Sequence, residues 1–466
     1  MSRILPRDDL DSVRLTHTMT AEYRIVTKTS GTARVLATLL ACVRIVAVAL
    51  ILLIAVPIVF RQPSPLPAML SGDHSIGAYI PTSASASSDD EVSRQELRDQ
   101  LQALMAHHAT LAVRFMRATV ASDPGFVDAA NAVLVRNTED LQTALRPAVG
   151  NDFAAAFADR WELHTRLLFD YAVGVREDDD AATDEARAKL ATYIGDQASL
   201  LAEATDDHLT RQMGETALRM QVDLLLYQID AYARRDYEQA YELEREAYAH
   251  MYPLASMLAS AATGQAPDAV KTSPTEELRT DLALMLGEHV ELTIDTMRSG
   301  VAGRDEFEAA AAELDANTAE LTSALDSMFG AKRAKRFNRA WADHIDLLMR
   351  YTVAVADNDA AAMAQVGDQF DDVSAGLGKV LAKTTGGAIE ATTVARAMVA
   401  HQQLLVDQVE AYADADYVQA HDIAYTAYQN IHGLAGTLAV GIIDALNDGL
   451  PQGGADTGGG GTAEAS

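Results

Sequence analysis

Trp161-Glu162-Leu163-His164-Thr165-Arg166-Leu167-Leu168-Phe169-Asp170-Tyr171 and Trp341-Ala342-Asp343-His344-Ile345-Asp346-Leu347-Leu348-Met349-Arg350-Tyr351 are one phrase written twice, 180 positions apart. In each copy Trp, His, Leu and Tyr recur at spacings of three and four, the period that lays residues along one face of a helix. The match extends outward. His108, Leu111 and Met116-Arg117 answer His289, Leu292 and Met297-Arg298. Asn137-Thr138 and Leu141 answer Asn317-Thr318 and Leu321, and Ala231-Tyr232 with Asp236-Tyr237 answers Ala411-Tyr412 with Asp416-Tyr417. A fixed offset of 180 or 181 is the mark of a duplicated domain, here spanning 93–263 and 274–447.

Both copies read as helix throughout. Ser122-Asp123-Pro124-Gly125 answers Gly300 to Arg304 as a break, and Asp178-Asp179-Asp180 answers Asn358-Asp359. The segments between lack the alternation of strands. The expected fold is all-α: two tandem copies of a five- to six-helix antiparallel bundle after an N-terminal transmembrane segment. No proline interrupts Tyr417 to Ala445, which predicts a long closing helix, with Gly433, Gly436 and Gly441 its weak points.

The N-terminal part has a different character. Val35 to Val43 and Ile45 to Phe60 are apolar runs separated by Arg44, together long enough to cross a bilayer. Arg14, Arg24, Lys28 and Arg34 precede them, so the charge rule keeps residues 1–34 in the cytoplasm and exports everything after Arg61. A retained anchor over 35–61 and a cleaved signal peptide both fit. The small-residue triplet Ala84-Ser85-Ala86 lies far beyond the apolar run, which favours the anchor. Residues 62–92, rich in Pro, Ser and Ala, read as a flexible stalk, Gly264 to Thr275 as a linker, and 448–466 as a disordered Gly-rich tail. The expected location is the cell membrane, with a single pass and an extracytoplasmic body.

Net charge is −30; residues 1–61 hold eight Lys/Arg against four Asp/Glu, a balance of +4 that leaves −34 for the rest. Such a body has no field with which to hold nucleic acid. It suits cations or a basic partner in the cell envelope, and it equally serves solubility. The single cysteine, Cys42, excludes an intramolecular disulfide and a multi-cysteine metal site.

The apolar stripes carry polar residues. His108 lies among Leu101, Leu104, Leu111 and Phe115; Asn137 among Leu134, Leu141 and Leu145; and His164 on the stripe already quoted. Their counterparts are His289, Asn317 and His344. A fourth stripe places His401 among Met398, Leu405, Gln408 and Tyr412, where the first copy has Gln221. A fifth places His250 among Leu243, Ala247 and Leu254, where the second copy has Asn430. Three inward histidines per copy are therefore expected: His108, His164 and His250, then His289, His344 and His401. Asn137, Asn317, Gln221 and Asn430 are the supporting polar groups. His107, His208, His421 and His432 have no histidine counterpart and read as surface or boundary residues. Tyr237, Tyr241, Tyr248 and Tyr252 read as packing residues of the first closing helix.

Buried polar groups must find partners. Two readings fit the stripes. The imidazoles hold a metal such as copper, zinc or iron, or a small ligand. Alternatively, they satisfy one another in a hydrogen-bonded network that fixes helix register. No Glu-x-x-His pair, Cys-x-x-Cys-His, phosphate loop, nucleophile elbow or His-Glu-x-x-His motif occurs. The expectation is a binding module or an envelope interaction protein rather than an enzyme.

Glu288-His289, Asp315-Ala316-Asn317-Thr318, Trp341 with His344, and Glu246-Ala247-Tyr248-Ala249-His250-Met251 resemble an uncharacterised family of exported bacterial proteins built from tandem helical domains. Some members are labelled copper amine oxidase-like, because such a domain can be attached to them. The resemblance covers nearly all of 93–447 and implies the helical domain and its export. It implies no activity: nothing here resembles a Tyr-derived quinone centre. Gln221, and Asn430-Ile431 in place of His-Met, depart from the pattern.

Overall fold

Each helix of the computed structural model starts and stops where local chemistry allows. The structure describes residues 93–267 and 272–447, so the expected anchor, stalk and tail lie outside the described residues. The first half holds α1 (Arg94–Ala121), α2 (Pro124–Val149), α3 (Asn151–Glu177), α4 (Asp180–Ala204), α5 (Arg211–Ala233) and α6 (Tyr237–Ala262). The second holds α7 (Pro274–Ala302), α8 (Phe307–Phe329), α9 (Ala331–Ala356), α10 (Ala360–Gly367), α11 (Phe370–Thr384), α12 (Ala391–Ala413) and α13 (Tyr417–Asn447). The described residues are all-helical, with no strand among them. None of the described helices is long and apolar enough to cross a membrane.

Both opening helices begin with a capping box, Ser93 with Glu96 and Ser273 with Glu276, which satisfies otherwise orphaned N–H groups. The expected breaks fall in place: Ser122, Asp178, Gly303 and Asn358 all adopt positive φ, and Asp179 and Asp359 cap the helices that follow. The closing helix α13 runs through its three glycines. At Gly441 a Cβ would come within 2.4 Å of Ile389 Cγ1, so this residue permits a close crossing. One difference separates the halves. The single helix α4 corresponds to two helices, α10 and α11, interrupted at Asp368-Gln369 just after Gly367. Gly367 is a poor helix former standing where α4 has Arg187.

Within the first half α1 packs on α2, α3, α5 and α6; within the second, α7 packs on α8, α9, α12 and α13. The halves also exchange contacts: α13 lies on α2, α6 lies on α8, and α1 meets α7. Buried apolar residues from Leu97 to Ala445 form one connected core. Consequently the opening and closing helices bury two faces each, one within their own half and one against the other.

That second burial corrects one expectation from the sequence. His107 and His421 are not surface residues: both are buried, at 1% and 2% exposure. His107 stacks on Tyr428 and faces Glu291, and His421 packs on Phe126 of α2. They lack histidine counterparts because the junction is chemically asymmetric. His107 matches Glu288, and His421 matches Tyr241.

Candidate metal centre

The second-half site begins with three helices. α7 contributes His289, α9 His344 and α12 His401, each on the apolar stripe of its helix and each buried. The crossing of those stripes brings the rings together. Their centroids are 5.5 to 5.8 Å apart in all three pairs. One nitrogen from each ring lies within 4.8 Å of the others. Trp341 packs against His289 and His344 and closes one side.

These rings are electrically neutral at ordinary pH. Burial lowers the His401 pKa to about 4 and holds His289 and His344 well below the usual value, with the neighbouring imidazoles adding to the effect. Both nitrogens of His289, both of His401 and Nε2 of His344 have no hydrogen-bond partner. Nδ1 of His344 meets Gln402 Nε2 at 2.9 Å, and Gln402 Oε1 accepts from the Ser374 hydroxyl at 2.6 Å. The Ser374 hydroxyl can donate or accept, so it suits either orientation of the Gln402 amide. With the amide turned over, Gln402 accepts the Nδ1 proton of His344. The Nε2 lone pair is then free to face the other two rings, as in a metal site whose ligand is oriented by an outer partner.

The first half builds a different centre from matching positions. His108 Nε2 is 3.2 Å from His164 Nε2. His108 Nδ1 lies 3.1 Å from both Asn137 Oδ1 and Trp161 Nε1. A ring nitrogen cannot accept from Trp161 and donate to Asn137 at once. In the first case His108 donates from Nε2 to His164; in the second His164 donates to His108. Either way one proton stands between the two Nε2 atoms, and Nδ1 of His164 is left without a partner. Gln221 sits where α12 has His401, buried, with neither amide atom bonded.

The structure does not bring His250 to this pair. It is half-buried, and its Nε2 meets the carbonyl of Ala217 on α5 at 3.0 Å. Its counterpart Asn430 is exposed. The expected inward placing of His250 is corrected accordingly, while Ala247 and Leu254 of the same stripe are buried as expected. α6 turns Tyr241, Tyr248 and Tyr252 inward instead, leaving His250 at the margin.

Asn317 Nδ2 donates to the Met285 carbonyl at 2.9 Å, just as Asn137 donates to that of Leu104 at 3.0 Å. It also donates to Glu288 Oε2 at 2.8 Å, and Arg245 of α6 grips Glu288 with two bonds of 2.8 and 2.9 Å. The residue beside His289 is thus tied to the other half. Sequence reasoning missed Gln402 and Ser374. Gln402 follows His401 immediately, about 100° around the helix and off the stripe. No family model, curated protein or solved structure matches the chain.

Proposed function

We propose that the chain is a membrane-anchored, extracytoplasmic protein of two tandem helical bundles that binds one transition-metal ion through His289, His344 and His401. The observation that carries this reading is the convergence of three buried neutral imidazoles, five of whose six nitrogens have no hydrogen-bond partner. Zinc–nitrogen bonds of about 2.1 Å in a tetrahedron place ligand nitrogens about 3.4 Å apart, so a closure of at most about 1.4 Å from the 4.8 Å limit suffices. An all-imidazole set suits zinc, copper or iron and not magnesium or calcium. Three ligands leave a position for solvent or a fourth donor. The residues' own contribution is to hold neutral donors buried among three helices, with Gln402 setting the tautomer of His344.

Metal analysis of the purified full chain, loaded separately with copper, zinc and iron, tests this. One equivalent per chain is expected, lost in His289→Ala with His344→Ala. A chain that stays metal-free after loading ends the reading.

The second reading, an envelope interaction module with no ligand, is favoured by the direct hydrogen bond between His108 and His164, which occupies the nitrogens that would face a metal. On that reading the double variant changes stability and takes up metal no differently from the parent.

A further inference from the structure

One arginine of the opening helix recurs in both halves. Arg117 and Arg298, 181 positions apart, are 6% and 4% exposed. Each donates from Nη2 to a carbonyl early in its closing helix, Arg117 to Ala240 at 3.1 Å and Arg298 to Ala420 at 2.9 Å. Each also lies over tyrosine rings, Tyr241 for Arg117 and Tyr412 for Arg298.

Their counter-charges differ. Arg117 Nη1 is 2.8 Å from Glu244 Oε2. The position matching Glu244 is Ala424, one turn along the helix from the carbonyl that Arg298 grips. Arg298 makes no salt bridge among the described residues; its Nε donates to Gln408 Oε1 at 2.9 Å and its Nη1 has no partner. A buried guanidinium without a directly bonded counter-ion is disfavoured. Burial, followed by the nearby Arg114 charge, lowers its pKa to about 10, so it remains cationic at neutral pH.

A cavity of about 50 Å³ opens beside it at the junction of the halves. Arg114, Arg117, Arg298 and Arg304 line it, against the carboxylates Asp295 and Glu306. Asp295 is committed to Arg114 at 2.6 Å. Glu306 accepts from the Tyr232 hydroxyl at 3.2 Å and lies 3.7 Å from Arg304. Asp295 and Glu291 attract Arg298 through space, but no carboxylate forms a salt bridge with it among the described residues. The space exceeds what one water needs.

We propose that this cavity binds a small monovalent anion, from chloride to a one-carbon carboxylate in size, which gives Arg298 the counter-charge that Glu244 gives Arg117. The inference is independent of the metal centre.

The test follows urea unfolding of the full chain at fixed ionic strength while chloride replaces gluconate, which is too bulky for the cavity. The midpoint should rise with chloride and saturate, as binding to the folded state requires. Ala424→Glu restores the missing carboxylate; its midpoint in gluconate should exceed the parent's and be flat in chloride. Arg298→Gln should also be flat, and if it fails to fold, the Ala424→Glu comparison decides. Crystals soaked in bromide should show one anomalous peak against Arg298. A parent midpoint indifferent to chloride, an Ala424→Glu chain that keeps the parent's response, or bromide absent from the cavity would each overturn the proposal.

Discussion

Arg114 Nε lies 2.6 Å from Asp295 Oδ1, and the two residues occupy the same position of the two repeats, 181 apart. Tyr248 and Tyr428, 180 apart, likewise meet hydroxyl to hydroxyl at 3.0 Å. Equivalent residues that touch one another mark a local two-fold relation between the halves. A dimer of identical chains could not put opposite charges at equivalent positions across such an axis, since the same residue would face itself.

Arg114 also pairs with Glu291 at 2.5 Å. Arg114→Met leaves two buried carboxylates without their cation. Breaking a buried pair in this way costs about 3–5 kcal/mol. Converting Glu291 and Asp295 to Leu in the same chain should recover most of that loss. Denaturant midpoints of the single and triple variants measure both; a single variant within about 1 kcal/mol of the parent would refute the assignment.

Gln221 is the residue that separates the two histidine centres. Gln221→His supplies a third imidazole beside His108 and His164, and metal bound per chain should rise from one equivalent to two. Gln402→Ala should weaken metal affinity about 10- to 100-fold without altering stoichiometry, the usual effect of removing an outer partner. Titration with zinc in competition with a chelator reads both. Unchanged stoichiometry in Gln221→His would mean that three imidazoles are not what defines the site.

His421 carries a pH dependence whose sign is determined. Burial first, then the charges of Arg298 and Arg114 and the neighbouring His107, lower its pKa well below 6.5 in the folded chain. The unfolded chain therefore binds the extra proton between pH 6.5 and the lower folded value. Its contribution to stability is present above pH 6.5 and is lost as pH falls, with a slope of up to about 1.4 kcal/mol per pH unit. In metal-free protein His421→Gln should flatten the urea midpoint between pH 6.5 and 5. An unchanged slope would show that His421 is protonated equally in both states.

Two glycines of α13 should respond oppositely to alanine. Gly433 has nothing within 4 Å of an added Cβ, so Gly433→Ala gains helix propensity, about 0.5–1 kcal/mol. At Gly441 the Cβ would collide with Ile389, and overpacking of this kind costs about 1–3 kcal/mol. Thermal unfolding of the two variants should move in opposite directions; a shift of the same sign in both contradicts the close crossing of α13 over Ile389.

Helix spacing alone was enough to place His108, His164, His289, His344 and His401 on buried stripes, because a period of three and four identifies one face per helix. The same rule was silent on Gln402, which lies off the stripe. It misread His421, whose helix buries a second face against the other half. It misplaced His250, since several tyrosines of α6 compete for the inward direction and the sequence does not rank them.

Local order therefore belonged to the sequence: helix positions, caps, breaks and the 180-residue echo all follow from interactions between residues a few positions apart. The tertiary structure alone decided which stripes converge, that one half gathers three imidazoles while the other closes a pair, and that Arg298 is left without a salt bridge. Those outcomes depend on crossings between residues more than 50 positions apart, where a substitution as small as Glu to Ala at one equivalent position changes what a neighbouring helix must supply.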